Sequence, residues 1–398
     1  MLAGDAAPLP DEAAGAGAVV VKAGVAPLVD GAAAVSVRWD KLTIPKWFRG
    51  RDGHVTVAVP DGGWLSFGGA VAQPPPAASI DATADVVYFQ PLTSPADDGT
   101  FGVKVKTTGA KPRPRVAAAG CTIELDGEPS LFIFGGMSME VGWLGDAYAL
   151  NMATLEWRSL HLTGEVPSPR DKLGCAAVGD KVYLFGGFGP AMAGDAAVPG
   201  DDGANFTWFG DLFEVDTATM VCRRLVTHGT PPSARAALSM CAAADQVVIC
   251  GGKDRAGRQS DAFVYDTTDN MWRAVSGEGS PAPTSFAACA PLCDGKVVLF
   301  GGRTVDDDHT AATSVLDLDT MRWAAVATDG PLPTARGGHT LCNSAGGVLL
   351  VGGGADFHPL AGACLSHPVD LHVLAPAVAK RKSIGDTADA TPPKHLRV

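Results

Sequence analysis

Residues 246–272 read QVVICGGKDRAGRQSDAFVYDTTDNMW. An apolar run ends on the doublet Gly251–Gly252, a charged loop follows, and Asp261 opens a second apolar run. A turn over 267–270 then leads to Trp272. The runs are short, β-branched or aromatic, and bounded by Gly, Asp and Asn, which is the composition of antiparallel strands joined by tight turns. With AALSMCAA (236–243) in front, the stretch forms a unit of four strands. The glycine pair closes the second strand, where side chains would crowd or positive φ is needed.

The unit recurs. A glycine doublet follows an apolar run at Gly68, Gly135, Gly186, Gly251, Gly301 and Gly352, with spacings of 67, 51, 65, 50 and 51. The two long spacings are one period of about fifty plus an insertion. Arg170, Arg235 and Arg336 each lie 16 residues before their doublet, and Arg115 lies 20 before Gly135, displaced by the insert LDGEP. Counting by 16 puts Ser285 in that slot before Gly301 and Asp52 before Gly68. Thirteen residues upstream of these slots stand Trp157, Cys222, Trp272 and Trp323, and 13 before Asp52 stands Trp39. Asp146, Asp211 and Asp261 each precede their Trp-slot residue by 11. Self-similarity at a fixed period is the signature of a repeat architecture.

Trp39 is then the last strand of a unit that has not begun. The sixth unit, conversely, stops after GVLLVGG and DLHVL without its own Trp strand. The stretch VSVRW (35–39) is expected to supply it, joining both ends of the chain in one sheet. Closure removes exposed edge strands; it also requires a contact of very high sequence separation, which is slow to form.

A Gly-Gly doublet, then Asp-x-Tyr/Phe-x-x-Asp/Asn, then Trp, then Pro-x-Pro-Arg, at a period near fifty, resembles the kelch repeat. The resemblance covers about residues 35–376 and is strongest in DAYALNMATLEW (146–157) and DAFVYDTTDNMW (261–272); no Trp follows Asp85, and Cys222 stands in a Trp slot. It implies an all-β fold: a six-bladed kelch-type β-propeller whose last blade is closed by an N-terminal strand. The expected organisation is an Ala/Gly/Pro-rich flexible segment at 1–34, the propeller at 35–376, and a polar basic tail at 377–398.

Composition narrows the partners. The 398 residues are 46% hydrophobic and only 19% charged, with 49 Gly and 29 Pro, which suits many short strands and turns. The net charge of −12 argues against nucleic acid, since phosphate binding needs a basic surface. No run of eighteen apolar residues offers a membrane span. The first residues carry Asp5, Asp11 and Glu12 without Lys or Arg, unlike a targeting segment. Nine cysteines without C-x-x-C pairs read as reduced thiols. A cytoplasmic, monomeric protein is expected, with a nuclear location as an alternative from the KRK run at 380–382.

Antiparallel order puts the loops between strands two and three on the same face as the inter-blade connections. The long loops, 70–84, 188–210 and 354–369, all fall on that face, where binding residues concentrate on a rigid frame. Arg115, Arg170, Arg235 and Arg336 begin the innermost strands there, with His339 three residues further on. They are expected to line one mouth of the channel, and in kelch propellers the equivalent mouth often binds peptides. Arginine suits carboxylates because its planar fork engages both oxygens, so an acidic or C-terminal peptide is the expected ligand. If so, replacing Arg235 and Arg336 costs binding and spares the fold; in the alternative reading a Pro-x-Pro-Arg turn holds its arginine against backbone carbonyls or an aspartate of a neighbouring blade, and the replacement unfolds the protein. Phe206 and Trp208 either anchor a partner or pin their loop to the frame.

Catalytic constellations are missing. Propeller copper oxidases need tyrosine ligands and a Tyr–Cys crosslink, but Tyr88, Tyr148, Tyr183 and Tyr265 all fall at repeat strand positions. The acidic turn at 306–309 could hold a hard cation but reads more simply as solvated, and Cys289 and Cys293 have no second pair for zinc. Cys121, Cys241 and Cys342 share one repeat slot, as small side chains near the axis do. The reading is a non-enzymatic protein-interaction module without cofactor or metal. Two alternatives stay open: a ubiquitin-ligase substrate receptor, whose ligase contacts would have to come from the termini or outer surface, and a sugar-modifying enzyme of mutarotase type.

Overall fold

A computed structural model describes residues 35–72, 80–92, 99–192, 197–199, 206–292, 294–324, 326–344, 347–358, 363–366, 368 and 370–376. The expectations for segments 1–34 and 377–398 lie outside these residues. The described residues form strands and turns without a helix.

Six sheets of four or five strands follow one another. The fourth shows the pattern: Ser239–Ala243, Gln246–Cys250, Ala262–Asp266 and Met271–Ala274, each antiparallel to the next. Its second strand is buried along four of its five residues because both faces pack against neighbouring sheets. Its outer strand buries only Trp272. The innermost strands of the six sheets touch in a closed cycle, from Val55–Ala58 through Thr340–Ser344 and back. Hydrophobic clusters fill the six boundaries between sheets, one at each, in place of a single central core.

The closing strand is where the sequence places it. Val35–Leu42 runs antiparallel to Leu371–Pro376, with Trp39 opposite Leu374. Its alternating burial leaves Trp39 wholly enclosed against Phe300 of the fifth sheet, ring centroids 5.2 Å apart. Trp157 and Trp272 make the same edge contact with Phe67 and Phe185 of the preceding sheets, at 5.0 and 5.7 Å. Thus the outer-strand ring of one blade covers the residue before the glycine doublet of the blade before it.

In the four five-stranded sheets the connection into the blade adds a short parallel strand at that blade's outer edge. Val326–Asp329 pairs with Val35–Arg38 in this way, as Thr163–Gly164 pairs with Val221 and Cys222. Gly330 then turns with φ +85, and a Cβ there would sit 2.1 Å from the Trp39 carbonyl. Only glycine lets the backbone pass that close.

Two closed rings of backbone hydrogen bonds lock the blades. In one, the second glycine of every doublet donates to the slot residue of the next blade: Gly69 to Arg115, Gly136 to Arg170, Gly187 to Arg235, Gly252 to Thr284, Gly302 to Arg336 and Gly353 to Arg51, at 2.7–3.0 Å. A Cβ on the first glycine, for example Gly135, would lie 2.6 Å from the carbonyl of Arg170. The other ring runs backwards, with Ala117 donating to Gly53, Lys172 to Ala117, Ala237 to Lys172, Phe286 to Ala237, Gly338 to Phe286 and Gly53 to Gly338, at 2.7–2.9 Å. All six of these residues have φ between +51 and +67. For the four that are not glycine this conformation costs roughly 1–2 kcal/mol each, and it aims each N–H at the neighbouring blade.

The first ring corrects the register of two repeats. Its slot residues are Arg51 and Thr284, each one position before Asp52 and Ser285. One extra residue separates slot and doublet in these two blades, and counting by a fixed 16 steps over it.

Deleting residues 1–42 removes the closing strand and exposes the Phe300 surface that Trp39 covers. Loss of a buried Trp alone costs about 3–5 kcal/mol, so the melting temperature should fall by at least about 4–7 °C. Deletion of 1–30, which spares the strand, serves as control in the same thermal scan. Equal melting of the two would remove the strand from the closure.

Candidate functional site

The slot arginines form clamps within their own blades. Arg170 Nη1 donates to the Gly186 carbonyl at 3.2 Å and to Asp211 at 2.6 Å, and its Nε donates to the Ser168 carbonyl. Arg115 pairs with Asp146 through both Nη1 and Nη2, at 2.6 and 3.1 Å. Arg235 holds Asp261, and Arg336 holds Asp370 at 2.6 Å. Every one of the four also donates to the carbonyl of its blade's first doublet glycine. The regular Asp of the repeat is therefore the arginine's partner. The rings stack as well, with the Arg170 guanidinium 3.6 Å from the centroid of Phe209.

All four arginines are at most 1% exposed. Their forks are filled by carboxylates and carbonyls of the same blade, so the groups expected to meet a ligand carry the frame instead. Burial lowers the pKa of Arg336, and Asp370 opposes it. Burial also pushes Asp370 up, but His372 and Arg336 outweigh it and hold the carboxyl below its ordinary range.

His339 is buried too, edge-on to Phe300 at 5.4 Å. Burial first, then the Arg336 charge, pushes it down to about 3. His54 is lowered by burial, Arg51 and His339, and its Nε2 lies 3.0 Å from Thr340 Oγ1. Neither histidine faces the solvent.

Blade five departs from the others as a pair. Thr284 replaces the arginine, and Ala312, whose carbonyl accepts from Gly301 as Asp146, Asp211 and Asp261 do from their doublets, replaces the aspartate. A clasp stands nearby in their stead. Arg258 reaches from blade four to Ser285 Oγ at 3.0 Å and to Asp307, which Arg303 also approaches at 3.3 Å. The Arg258 contact holds Asp307 below its ordinary pKa. The acidic turn is thus tied down by arginines, and no cluster of three or more metal-ligating side chains exists among the described residues.

The long loop of blade three is an added sheet, with Phe206–Phe209 between Phe188–Pro190 and Ala197–Pro199. Phe206 lies 4.8 Å from Trp143, which comes from the hairpin of blade two, and Trp208 meets Phe188 at 5.3 Å. Phe206 and Trp208 are therefore packed into a cluster bridging two blades, each partly buried. Around that cluster the same face exposes Met139 (70%), Val141 (56%) and Met192 (54%). Met192 escaped sequence reasoning because it lies in the blade-three insertion, and Met139 and Val141 because they lie in an inter-strand loop where the repeat sets no residue type. The nearest signal was Trp143, an aromatic residue outside the slots the repeat explains.

The model of the KLHDC2/KLHL20/DRC7 Kelch-repeats domain matches residues 53–285 and 199–395. The chain belongs to the kelch-repeat family. Among curated relatives it is 26% identical over 258 residues to human Kelch domain-containing protein 1, covering 61% of this chain and 62% of that one. Kelch domain-containing protein 2 of Bos taurus is 26% identical, over 63% of this chain and 64% of its own length. Acyl-CoA-binding domain-containing protein 4 of Arabidopsis thaliana is 27% identical, over 63% of this chain and 36% of that protein. The chain therefore spans between about a third and two thirds of these relatives. Kelch repeats are consistent with a protein-interaction module.

Two outcomes follow from the kelch clamps. Arg170→Ala leaves the buried Asp211 carboxylate unpaired and should cost about 3–5 kcal/mol in a urea titration. The double change Arg170→Thr with Asp211→Ala, copying blade five, should recover a large part of that loss. If Arg170→Ala unfolds at the same urea concentration as the wild type, the clamp is not structural.

Acid should loosen the ring through the two histidines. Their folded pKa values lie below the ordinary 6.5, so the unfolded chain takes up protons that the folded chain refuses. The stabilisation is complete above pH 6.5 and shrinks as pH falls toward 3, at roughly 1.4 kcal/mol per pH unit and group. The urea midpoint should drop between pH 7 and pH 5, and His339→Gln should flatten that drop by about 2 kcal/mol. An identical slope in this variant refutes the assignment.

Proposed function

We propose that this kelch chain is a non-enzymatic interaction module that takes a protein partner on the face carrying the long inter-strand loops, at the short hairpin of blade two and the long loop of blade three. The carrying observation is the apolar set Met139, Val141 and Met192, more than half exposed around a half-buried aromatic cluster. Exposed apolar groups around an aromatic cluster of this kind mark interaction surfaces, and methionine adapts to irregular partners. The frame beneath is rigid, because Arg115 and Arg170 anchor those two blades at the base of the same loops. Trp143, Phe206 and Trp208 supply a firm floor, with aromatic anchors at the centre of the contact. The mouth arginines contribute by fixing loop positions, and the partner touches the loops themselves.

The test is recovery of partners from a lysate by tagged protein. Met139→Asp with Val141→Asp and Met192→Asp should lose the partners recovered by the wild type while melting at nearly the same temperature. A folded triple variant that keeps every partner overturns this placement. A matched set at Val226, exposed by 87% away from these loops, should leave recovery unchanged.

A further inference from the structure

Blade one holds an arginine whose clamp is not made. Arg51 occupies the slot, and Asp85 stands where the other blades carry their aspartate, since its carbonyl accepts from Gly68 as that of Asp146 accepts from Gly135. Yet the Asp85 carboxylate turns away to Lys104, 2.8 Å distant. Among the described residues Arg51 keeps one side-chain hydrogen bond, from Nη1 to the Gly68 carbonyl at 3.2 Å. In the four clamped blades Nε donates to the carbonyl two residues upstream. In blade one Arg51 Nε is buried without an acceptor among the described residues, and the Asp85 carboxylate does not reach Nη1 or Nη2 as the aspartates of the clamped blades do.

This guanidinium is only 4% exposed. A buried, uncompensated charge is costly and calls for a partner. Burial lowers the pKa of Arg51, and Asp85 only partly offsets this. The fork borders a cavity of about 520 Å³ lined by Trp47, Arg49, Val71, Asp85, Val103 and Lys104 among others. That volume lies in the range of small-ligand pockets. Three cationic side chains face one carboxylate there, in a chain whose net charge is −12. Trp47 and Val103, each more than 40% exposed, give it an apolar rim.

We propose that the blade-one cavity binds a carboxylate, received by the Nη1/Nη2 side of the Arg51 fork in the place that Asp211 or Asp261 fills in the clamped blades. The carboxylate belongs to a peptide, from either an acidic side chain or a chain end; the apolar rim takes the neighbouring residue. Arg49 and Lys104 draw the anion in. Lys104 has a second role: it holds Asp85 aside and keeps the fork vacant. The site stands on its own observation and is separate from the apolar loop patch of blades two and three.

Calorimetric titration of the full chain with three acetylated pentapeptides tests it. One is penta-alanine with a free C-terminus, one is Ala-Ala-Glu-Ala-Ala amide, and the control is penta-alanine amide. At least one acidic peptide should bind, the control should not, and which acidic peptide binds tells chain end from side chain. Arg51→Met should weaken binding by at least about tenfold, the loss of one charge-assisted hydrogen bond. Asp85→Asn removes the carboxylate that competes for the fork and should tighten binding several-fold, which a purely structural Arg51 does not produce. The proposal is overturned if neither acidic peptide exceeds the control, or if a folded Arg51→Met keeps its affinity. Should Arg51→Met not fold, the Asp85→Asn result decides alone, and unchanged or weaker binding defeats the site. None of these titrations depends on Met139, Val141 or Met192, so failure of one proposal leaves the other standing.

Discussion

The hydrogen bond from a doublet glycine to the slot carbonyl of the next blade is the constraint on which this molecule rests. It demands two glycines in succession, because a side chain on the first would collide with that carbonyl and one on the second with the start of its own blade's inner strand. It fixes the slot residue at one height, and the slot side chain then folds back onto the doublet of its own blade. Aspartate at the start of strand three completes the clamp. A backward ring through six left-handed residues opposes the forward ring. Because the two run in opposite senses, sliding one blade against its neighbour breaks bonds in both.

Charge in the slot follows the same logic. A buried guanidinium is tolerated where a carboxylate and carbonyls surround it, as in blades two, three, four and six. Blade five discards both members together, leaving neither charge stranded. Blade one keeps both and separates them. The forward hydrogen bond survives in all three cases because it uses only the backbone, which is what frees the side chain for other work.

The frame was legible in the sequence because it is periodic. Glycine doublets, Trp slots and the Asp spacing announced six units, and the orphaned Trp39 announced the closing strand. The resemblance to kelch named the same architecture. What the period could not convey was pairing across it. The recurring Asp and the recurring Arg were each visible, and a hold on a neighbouring blade's Asp was one reading, but spacing alone did not pair them within one blade, and so the arginines read as a charged mouth. Arg51 and Thr284 were hidden by a single added residue. The exposed Met139, Val141 and Met192 sit in inter-strand loops, where no repeat sets an expectation.

The closing strand also sets a schedule for synthesis. Leu42 pairs with Leu371, and at about 5–20 residues per second a ribosome takes roughly 15–65 s to travel between them. Throughout that interval the strand carrying Trp39 is outside the ribosome with an unmet edge, while five blades assemble behind it. Those blades gain neighbours in turn, but the sixth cannot form until the far end of the domain arrives. A nascent chain of this design spends its longest exposure on a segment with alternating apolar residues, the kind of edge that chaperones shield. Stability of the finished ring and vulnerability of the unfinished one therefore have a single source in the strand Val35–Leu42.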